Sequence, residues 1–296
     1  MDTREVCVKG YAKINLHLDV TGRTPDRYHT VETVMQSISL FDEVTVVLTE
    51  CGFCAECDVE GVPTDEKNIA VRAAMLLAEE TGYRGGAAIK IKKNIPMAAG
   101  MAGGSADGAA TLVAMNRLLG EPLEEGELCR LGARLGADVP FCIVGGTKYA
   151  DGKGDVLHDF PKMPDCFIVA ACGGEGVSTP WGYGLLDELY GGFEDGSYTP
   201  KGTDALWAVM LSDPPSLKEL CGALYNIFEA PVLRRRPVAK TIKKTMLECG
   251  AVGAMMSGSG PSVFGIFGDT ESAEKAAGAV RALGYFAQVC TPVDQG

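Results

Sequence analysis

Positive charge is scarce in this chain. Its 296 residues carry 27 lysines and arginines against 39 aspartates and glutamates, a formal net charge of −12. That balance argues against non-specific binding to nucleic acid or to an anionic membrane, and neither is expected as a partner. Nucleotides stay open, because a phosphate site can be built locally from backbone N–H groups. Long apolar runs are missing too, and none reaches the roughly 20 residues of a membrane span. The opening MDTREVCVKG lacks the apolar stretch of a secretory leader, so a cytoplasmic location is expected. There is no internal repeat and no low-complexity tract. Two familiar phosphate signatures, G-x-x-x-x-G-K-[ST] and G-x-G-x-x-G, are absent, which sets aside P-loop, dinucleotide and protein-kinase glycine loops.

Cysteine is not scarce, but its eleven copies do not read as a secreted staple set. Cys142, Cys166, Cys172, Cys249 and Cys290 sit singly in apolar segments, where a thiol acts as a small hydrophobe. A reducing compartment is the simplest fit. The run Cys51-x-x-Cys54-x-x-Cys57 has the spacing of a zinc or iron–sulfur site. No further cysteine or histidine follows in the next thirty residues, so a metal site is the weaker reading.

The length leaves room for two domains. Residues 6–20 alternate: Ile14, Leu16, Leu18 and Val20 on one side, Lys13, Asn15, His17 and Asp19 on the other. This predicts a half-buried strand whose polar face presents Lys13 and Asn15 together. A turn-rich loop, TGRTPDRYHT, follows, and 31–48 reads as two more strands. Asp65–Glu80 predicts an amphipathic helix with an acidic first turn, stopped near Gly82. A strand over Ala87–Ile95 ends at Pro96. Helices are expected over about Ser105–Leu119 and Glu124–Leu135, then a short loop and a strand. Composition shifts at Phe160–Pro164, a candidate linker that divides the chain into 1–162 and 163–296. Beyond it come a strand (Cys166–Cys172), helical stretches, a helix near Val238–Cys249, a strand pair around 255–267, and a final helix (Ser272–Leu283) and strand (Phe286–Val289). The class is α+β in two domains.

The segment with the strongest chemical signal is Pro96, Met97, Ala98, Ala99, Gly100, Met101, Ala102, Gly103, Gly104, Ser105, Ala106 and Asp107. A strand leads into a glycine-rich bend that opens a helix. Glycines let the backbone approach a ligand, and the helix start offers unpaired N–H groups and partial positive charge. Together these suit a polyphosphate. A bland alternative is a tight turn with Ser105 as helix cap. Asp138, in Gly-Ala-Asp-Val-Pro, and Lys13 could accept a proton from an alcohol and offset developing charge. Taken singly, each is a turn residue and a solvated strand lysine. His17 could join them or sit at the rim. His158 reads as surface loop, and Arg234, Arg235 and Arg236 as a solvated basic turn.

Read together, these segments resemble the GHMP kinases, whose ATP-phosphate motif is P-x-x-x-G-x-x-G-G-S. Within that superfamily the match is close to the diphosphocytidyl-methylerythritol kinases. Ala12-Lys13-Ile14-Asn15-Leu16 resembles their A-K-I-N-L, and Asp26-Arg27-Tyr28-His29 their D-G-Y-H, with Arg27 in place of glycine. Leu135–Phe141, Gly145-Gly146-Thr147, Gly176-Val177-Ser178-Thr179 and Met256–Phe264 resemble their later motifs in order. The resemblance implies an N-terminal domain like ribosomal protein S5 domain 2 and a ferredoxin-like C-terminal domain, with substrates between them. It implies ATP as donor, Mg²⁺, and a small cytidine diphosphate alcohol as acceptor, in non-mevalonate isoprenoid precursor synthesis. Asp138 would take the hydroxyl proton and Lys13 would hold it. Asn15, Tyr28 and His29 would recognise the cytidine end, and Pro96–Asp107 would wrap the phosphates. Asn68, Lys93 and Asp107 would lie near the adenosine, and Ser105 near Mg²⁺. Asn226 and Glu229 receive no role, and the protein is expected as a monomer or homodimer. Competing expectations are a homoserine- or mevalonate-type kinase, or a non-catalytic nucleotide binder.

Overall fold

The computed structural model describes residues 5–193 and 198–294. Two long strands organise the first half, β1 (Glu5–Arg23) and β2 (His29–Thr49), paired antiparallel along their length. Residues 31–48 therefore lie in one strand, not two. Two extra residues, Ser39 and Leu40, bulge from β2 where Tyr11 pairs with Phe41 and Ala12 with Ile38. The ladder continues through Phe41, Asp42 and Glu43, and Asp42 is fully buried.

The sheet continues through β3 (Phe53–Cys57) and β4 (Gly86–Lys92) in the order β3-β4-β2-β1-β8, with β5 (Thr147–Asp151) and β6 (Val156–Asp159) as a side branch and β8 (Tyr225–Asn226) beside β1. His158 lies on β6, not in a loop, 3.1 Å from Asp151. Cys54 and Cys57, three residues apart on β3, alternate to opposite faces of the sheet.

Helices cover one face of this sheet. The helix α1 (Ile69–Thr81) starts later than its acidic residues suggest. Asn68 caps it, accepting from the Ala70 N–H at 2.9 Å, and Gly82 ends it in the left-handed region. Asp65 and Glu66 lie before the first turn. Next come α2 (Gly103–Leu118), α3 (Glu125–Leu135) and a six-residue α4 (Val139–Val144) where sequence predicts only loop.

The second sheet holds β7 (Phe167–Cys172), β9 (Gly253–Met256), β10 (Val263–Phe267) and β11 (Phe286–Cys290) in the order β11-β7-β10-β9, all antiparallel. Helix α9 (Pro237–Glu248) precedes β9, and α10 (Thr270–Ala282) joins β10 to β11. This is the split βαβ, ferredoxin-like pattern. Four further helices, α5 (Thr179–Tyr190), α6 (Asp204–Met210), α7 (Leu217–Ala223) and α8 (Glu229–Leu233), fill the connection between β7 and α9.

The two sheets belong to one packed body. A single apolar cluster runs from Ile14 and Met115 to Ile168 and Phe264. Residues after β11 return to the first sheet: Ser39 N–H donates to Thr291 O and Val293 N–H to Ser37 O, both at 2.9 Å. The lobes also bury the polar face of β1. Lys13, Asn15, His17 and Asp19 are 0–4% exposed, so the strand is buried on both faces there.

Helix α2 lies very close to β1. A Cβ on Gly10 would stand 2.6 Å from the Ala106 carbonyl oxygen, a backbone atom that cannot swing away. Gly10→Ala should therefore cost about 2 kcal/mol through overpacking. Urea unfolding should show a lower midpoint with an unchanged slope.

Candidate active site

Between the lobes lies a cleft of about 660 Å³. The bend from Pro96 to Ala102 forms one wall, with Ala98, Gly100 and Ala102 at φ of 52°, 79° and 60°. This left-handed run turns the chain into α2, whose first residues Gly103, Gly104 and Ser105 also line the cleft. No side chain caps that helix end, so its N–H groups face the opening. Ser105 is the third helical residue and not the cap. Met101 and Ala106 turn the other way, into the core.

The bend is held from across the cleft. Ser262 Oγ donates to Ala99 O, and Ser257 Oγ lies 3.3 Å from Gly100 O. Ser257 Oγ also accepts from the Asn15 N–H at 3.3 Å. Asn226 holds that turn from behind, donating to Met256 O at 2.7 Å and Gly258 O at 2.9 Å. Glu229 accepts from the Met256 N–H at 2.9 Å. Both residues, given no role from sequence, position the turn that grips the bend.

Lys13 and Asp138 meet in the cleft. The Lys13 Nζ donates to Asn15 Oδ1 at 2.8 Å and lies 3.7 Å from Asp138 Oδ2. Lys13 is 4% exposed, whereas the Asp138 side chain is 38% exposed. Asp138 precedes α4 but makes no capping bond, so its carboxylate is free to face the opening. Asn15 Nδ2 donates to Thr33 Oγ1 at 2.8 Å, which fixes the amide behind the lysine.

At the far end, Asn68, Lys93 and Asp107 line the cleft as a group. Lys93 is clamped by Asp42 and by Asp107, the latter at 2.7 Å. Burial alone would lower the Lys93 pKa, but the two carboxylates outweigh it and raise it. Burial pushes Asp107 up to about 7, against the pull of Lys93 and with the help of Asp42. Among the described residues the buried Oδ1 of Asp107 has no hydrogen-bond partner.

At the mouth, Tyr28 stands 61% exposed. Its loop holds Arg27 at φ 65°, the conformation that glycine takes without steric cost. Thr24 Oγ1 accepts from the Tyr28 N–H at 3.0 Å and fixes the turn. His29 is adjacent but does not line the cleft. Its Nε2 is 2.8 Å from Asp187 Oδ1, and its ring stacks on Tyr183 with centroids 4.3 Å apart. Burial pushes Asp187 up, but hydrogen bonds from Arg23 and His29 win and hold it below the usual carboxylate range. Tyr183 does line the cleft. Burial, then the negative charge of Asp138, raises its phenol. No sequence signal marks Tyr183, which sits seven residues past Gly176 on α5. Thr179, from the Gly176–Thr179 motif, lines the cleft too, and Lys67 and Lys153 are further lining residues that sequence does not single out.

His17 belongs to a neighbouring cluster and not to the cleft. Its ring lies 5.6 Å from that of Tyr225, and Nε2 is buried without a partner. Among the described residues no group of three or more His, Cys, Asp or Glu could hold a metal ion.

Comparison with known proteins gives the family. The sequence matches the GHMP kinases N terminal domain over residues 68–146 and the GHMP kinases C terminal domain over 205–285. The two-lobed fold with its glycine-lined cleft is thus that of a GHMP kinase. A 4-diphosphocytidyl-2-C-methyl-D-erythritol kinase from Pelobacter propionicus is 41% identical over 290 residues, 97% of this chain and 98% of that one. One from Acetivibrio thermocellus is 41% identical over 268 residues, 90% of this chain and 92% of that one. A crystal structure of 4-(cytidine 5'-diphospho)-2C-methyl-D-erythritol kinase is similar with a TM-score of 0.77 at 31% identity, covering 98% of this chain and 100% of that one. Homoserine kinase from Cytophaga hutchinsonii shares the fold with a TM-score of 0.76 at 21% identity, covering 100% of this chain and 96% of that one. The chain belongs to the 4-diphosphocytidyl-2-C-methyl-D-erythritol kinase family.

Burial, then the charge of Lys201, lowers the His17 pKa from 6.5 to about 4. The unfolded chain therefore takes up this proton first, and His17 stabilises the fold above pH 6.5 but not below 4. The contribution lost across that window is about 3 kcal/mol. His17→Gln should flatten the acid limb of stability against pH between those values, read by chemical unfolding at each pH.

Proposed function

We propose that this chain transfers the γ-phosphoryl group of ATP to the 2-hydroxyl of 4-diphosphocytidyl-2-C-methyl-D-erythritol, giving the 2-phosphate and ADP. The observation that carries the reading is the 3.7 Å approach of Lys13 to Asp138 in the same cleft as the glycine bend and Tyr28. Backbone N–H groups of the bend and of the start of α2 cradle the donor's phosphates. The Asp138 carboxylate accepts the hydroxyl proton as the oxygen attacks. Lys13, fixed by Asn15, orients that carboxylate and offsets charge on the transferring group. The adenosine end lies by Asn68, Lys93 and Asp107.

The donor set fits a magnesium ion carried by the nucleotide, since Ser105 and Asp138 both line the cleft and such an ion keeps few protein ligands. Mg²⁺ would neutralise charge on the phosphates.

Tyr28 offers an exposed ring at the mouth, with Tyr183 lining the same cleft. Aromatic faces suit an acceptor that carries a base, and this favours a cytidine substrate over homoserine or mevalonate. His29 braces Tyr183 and stands next to Tyr28, at the base-binding end. The division between lobes falls near residue 162, supported by the separate sheet that begins at β7.

Offered the diphosphocytidyl alcohol and ATP, the protein should release ADP, and homoserine or mevalonate in its place should give none. Asp138→Asn should lower turnover about 100-fold or more while ATP binding is spared, the scale for losing a general base. Near-normal turnover in that variant would rule out the assigned base. Tyr28→Ala should raise KM for the cytidine substrate and leave that for ATP unchanged; movement of the ATP constant alone would reverse the two ends of the cleft.

A further inference from the structure

The first residues of β1 form an open sheet edge. Strand β2 covers one side of β1 throughout, but β8 reaches only His17 and Leu18 on the other. Along the outer side, the Lys13 N–H donates to Met101 O and the Asn15 N–H to Ser257 Oγ. The bulge between Tyr11 and Ala12 adds its residues to β2, so alternation along β1 is unbroken. The N–H and C=O groups of Glu5, Cys7 and Lys9 therefore point outward as well. Among the described residues no strand pairs with them on that side.

The side chains on this stretch are patterned. Glu5, Cys7 and Lys9 are exposed on one face, while Val6 and Val8 pack toward the core on the other. Among the described residues Glu5 has no ion-pair partner. Lys9 has none either: its ammonium sits 4.3 Å from the Phe41 ring, and its cross-strand neighbour Glu43 is bound by Lys92 at 3.1 Å. Edges are usually protected by charges that repel added strands. Here Glu-Val-Cys-Val-Lys reads as its own complement. An antiparallel copy centred on Cys7 sets Glu5 against Lys9, Val6 against Val8 and Cys7 against Cys7. Each outward pair then exchanges two backbone hydrogen bonds.

A strand pair alone is too small for a stable dimer, which needs about 1,000 Å² or more. The edge is bordered by a second cavity of about 460 Å³, lined by Val8, Val113 and Leu123 together with the charged Arg117, Glu121 and Glu124. Mixed apolar and charged surface thus extends the contact beside the new ladder. We propose that the Glu5–Lys9 edge of β1 is a two-fold interface that takes the same edge of a second copy of this chain. The interface is isologous, so it closes at two subunits. It lies on the outer edge of the first sheet, and the proposal is independent of which alcohol the kinase accepts.

Sedimentation equilibrium of the full chain should show a dimer. Lys9→Glu faces glutamate with glutamate and should weaken association at least ~10-fold. The swapped variant Glu5→Lys with Lys9→Glu restores opposite charges across the axis and should recover the dimer. ADP release by each variant reports that it has folded. Paired Cys7 Cα atoms stand about 5.5 Å apart in such a ladder. A short bismaleimide should therefore link two chains, and Cys7→Ser should abolish the link while Cys51 and Cys54 remain. A monomeric parent, a dimer insensitive to Lys9→Glu, a swap that fails to rescue, or crosslinking that survives Cys7→Ser would each overturn the proposal.

Discussion

The cleft depends on how closely three backbone segments can approach one another. A Cβ on Gly100 would stand 2.6 Å from Ser257 O, and one on Gly258 3.0 Å from Gly100 O. Both glycines have positive φ, so a side chain there would be strained twice over. With those atoms missing, the Ser257 hydroxyl touches β1 and the glycine bend at once. First strand, bend and the turn after β9 are fixed together by a few hydrogen bonds through one side chain. Lys13 and the N–H groups of α2 owe their common direction to that junction.

The two buried lysines of the cleft show how environment separates structure from chemistry. Lys93 faces two carboxylates, both nearly buried, and its charge is fully matched. Such a cluster is costly to break and has little charge left for a ligand. Lys13 has a neutral amide at hydrogen-bond distance and one carboxylate that is partly open to the cleft. Its field still reaches the opening, where a phosphoryl group would pass. The sequence distance between Lys13 and Asp138 hides this pairing, and only the packing of α4 against α2 and β1 creates it.

Elements with local signals were legible. Gly82 marks the end of α1 through a cap that a few residues encode. The bend at Gly100–Gly104 was legible as a turn into a helix because glycines at that density disfavour regular structure before it. What escaped depends on distant contacts. β2 reads as two strands, yet it runs on through Asp42, whose carboxylate accepts the N–H groups of Asn94 and Ile95 and binds Lys93. Helix α4 is one and a half turns of apolar residues, too short to display a period. The polar face of β1 looks solvated until the second lobe closes over it. Tyr183 and Asn226 carry no motif, since their importance comes from what they touch.

The residues after β11 lie along the bulge of β2, bonded at Ser37 and Ser39, with Gln36 Nε2 reaching Val293 O at 3.0 Å. A ribosome delivers β2 early and this segment about 250 residues later. Throughout that interval the middle of the longest strand has no partner for those groups. The lobe that reads as independent is thus unfinished until residues 291–293 emerge, and a nascent chain arrested before them would expose a strand bulge to chaperones rather than a completed kinase half.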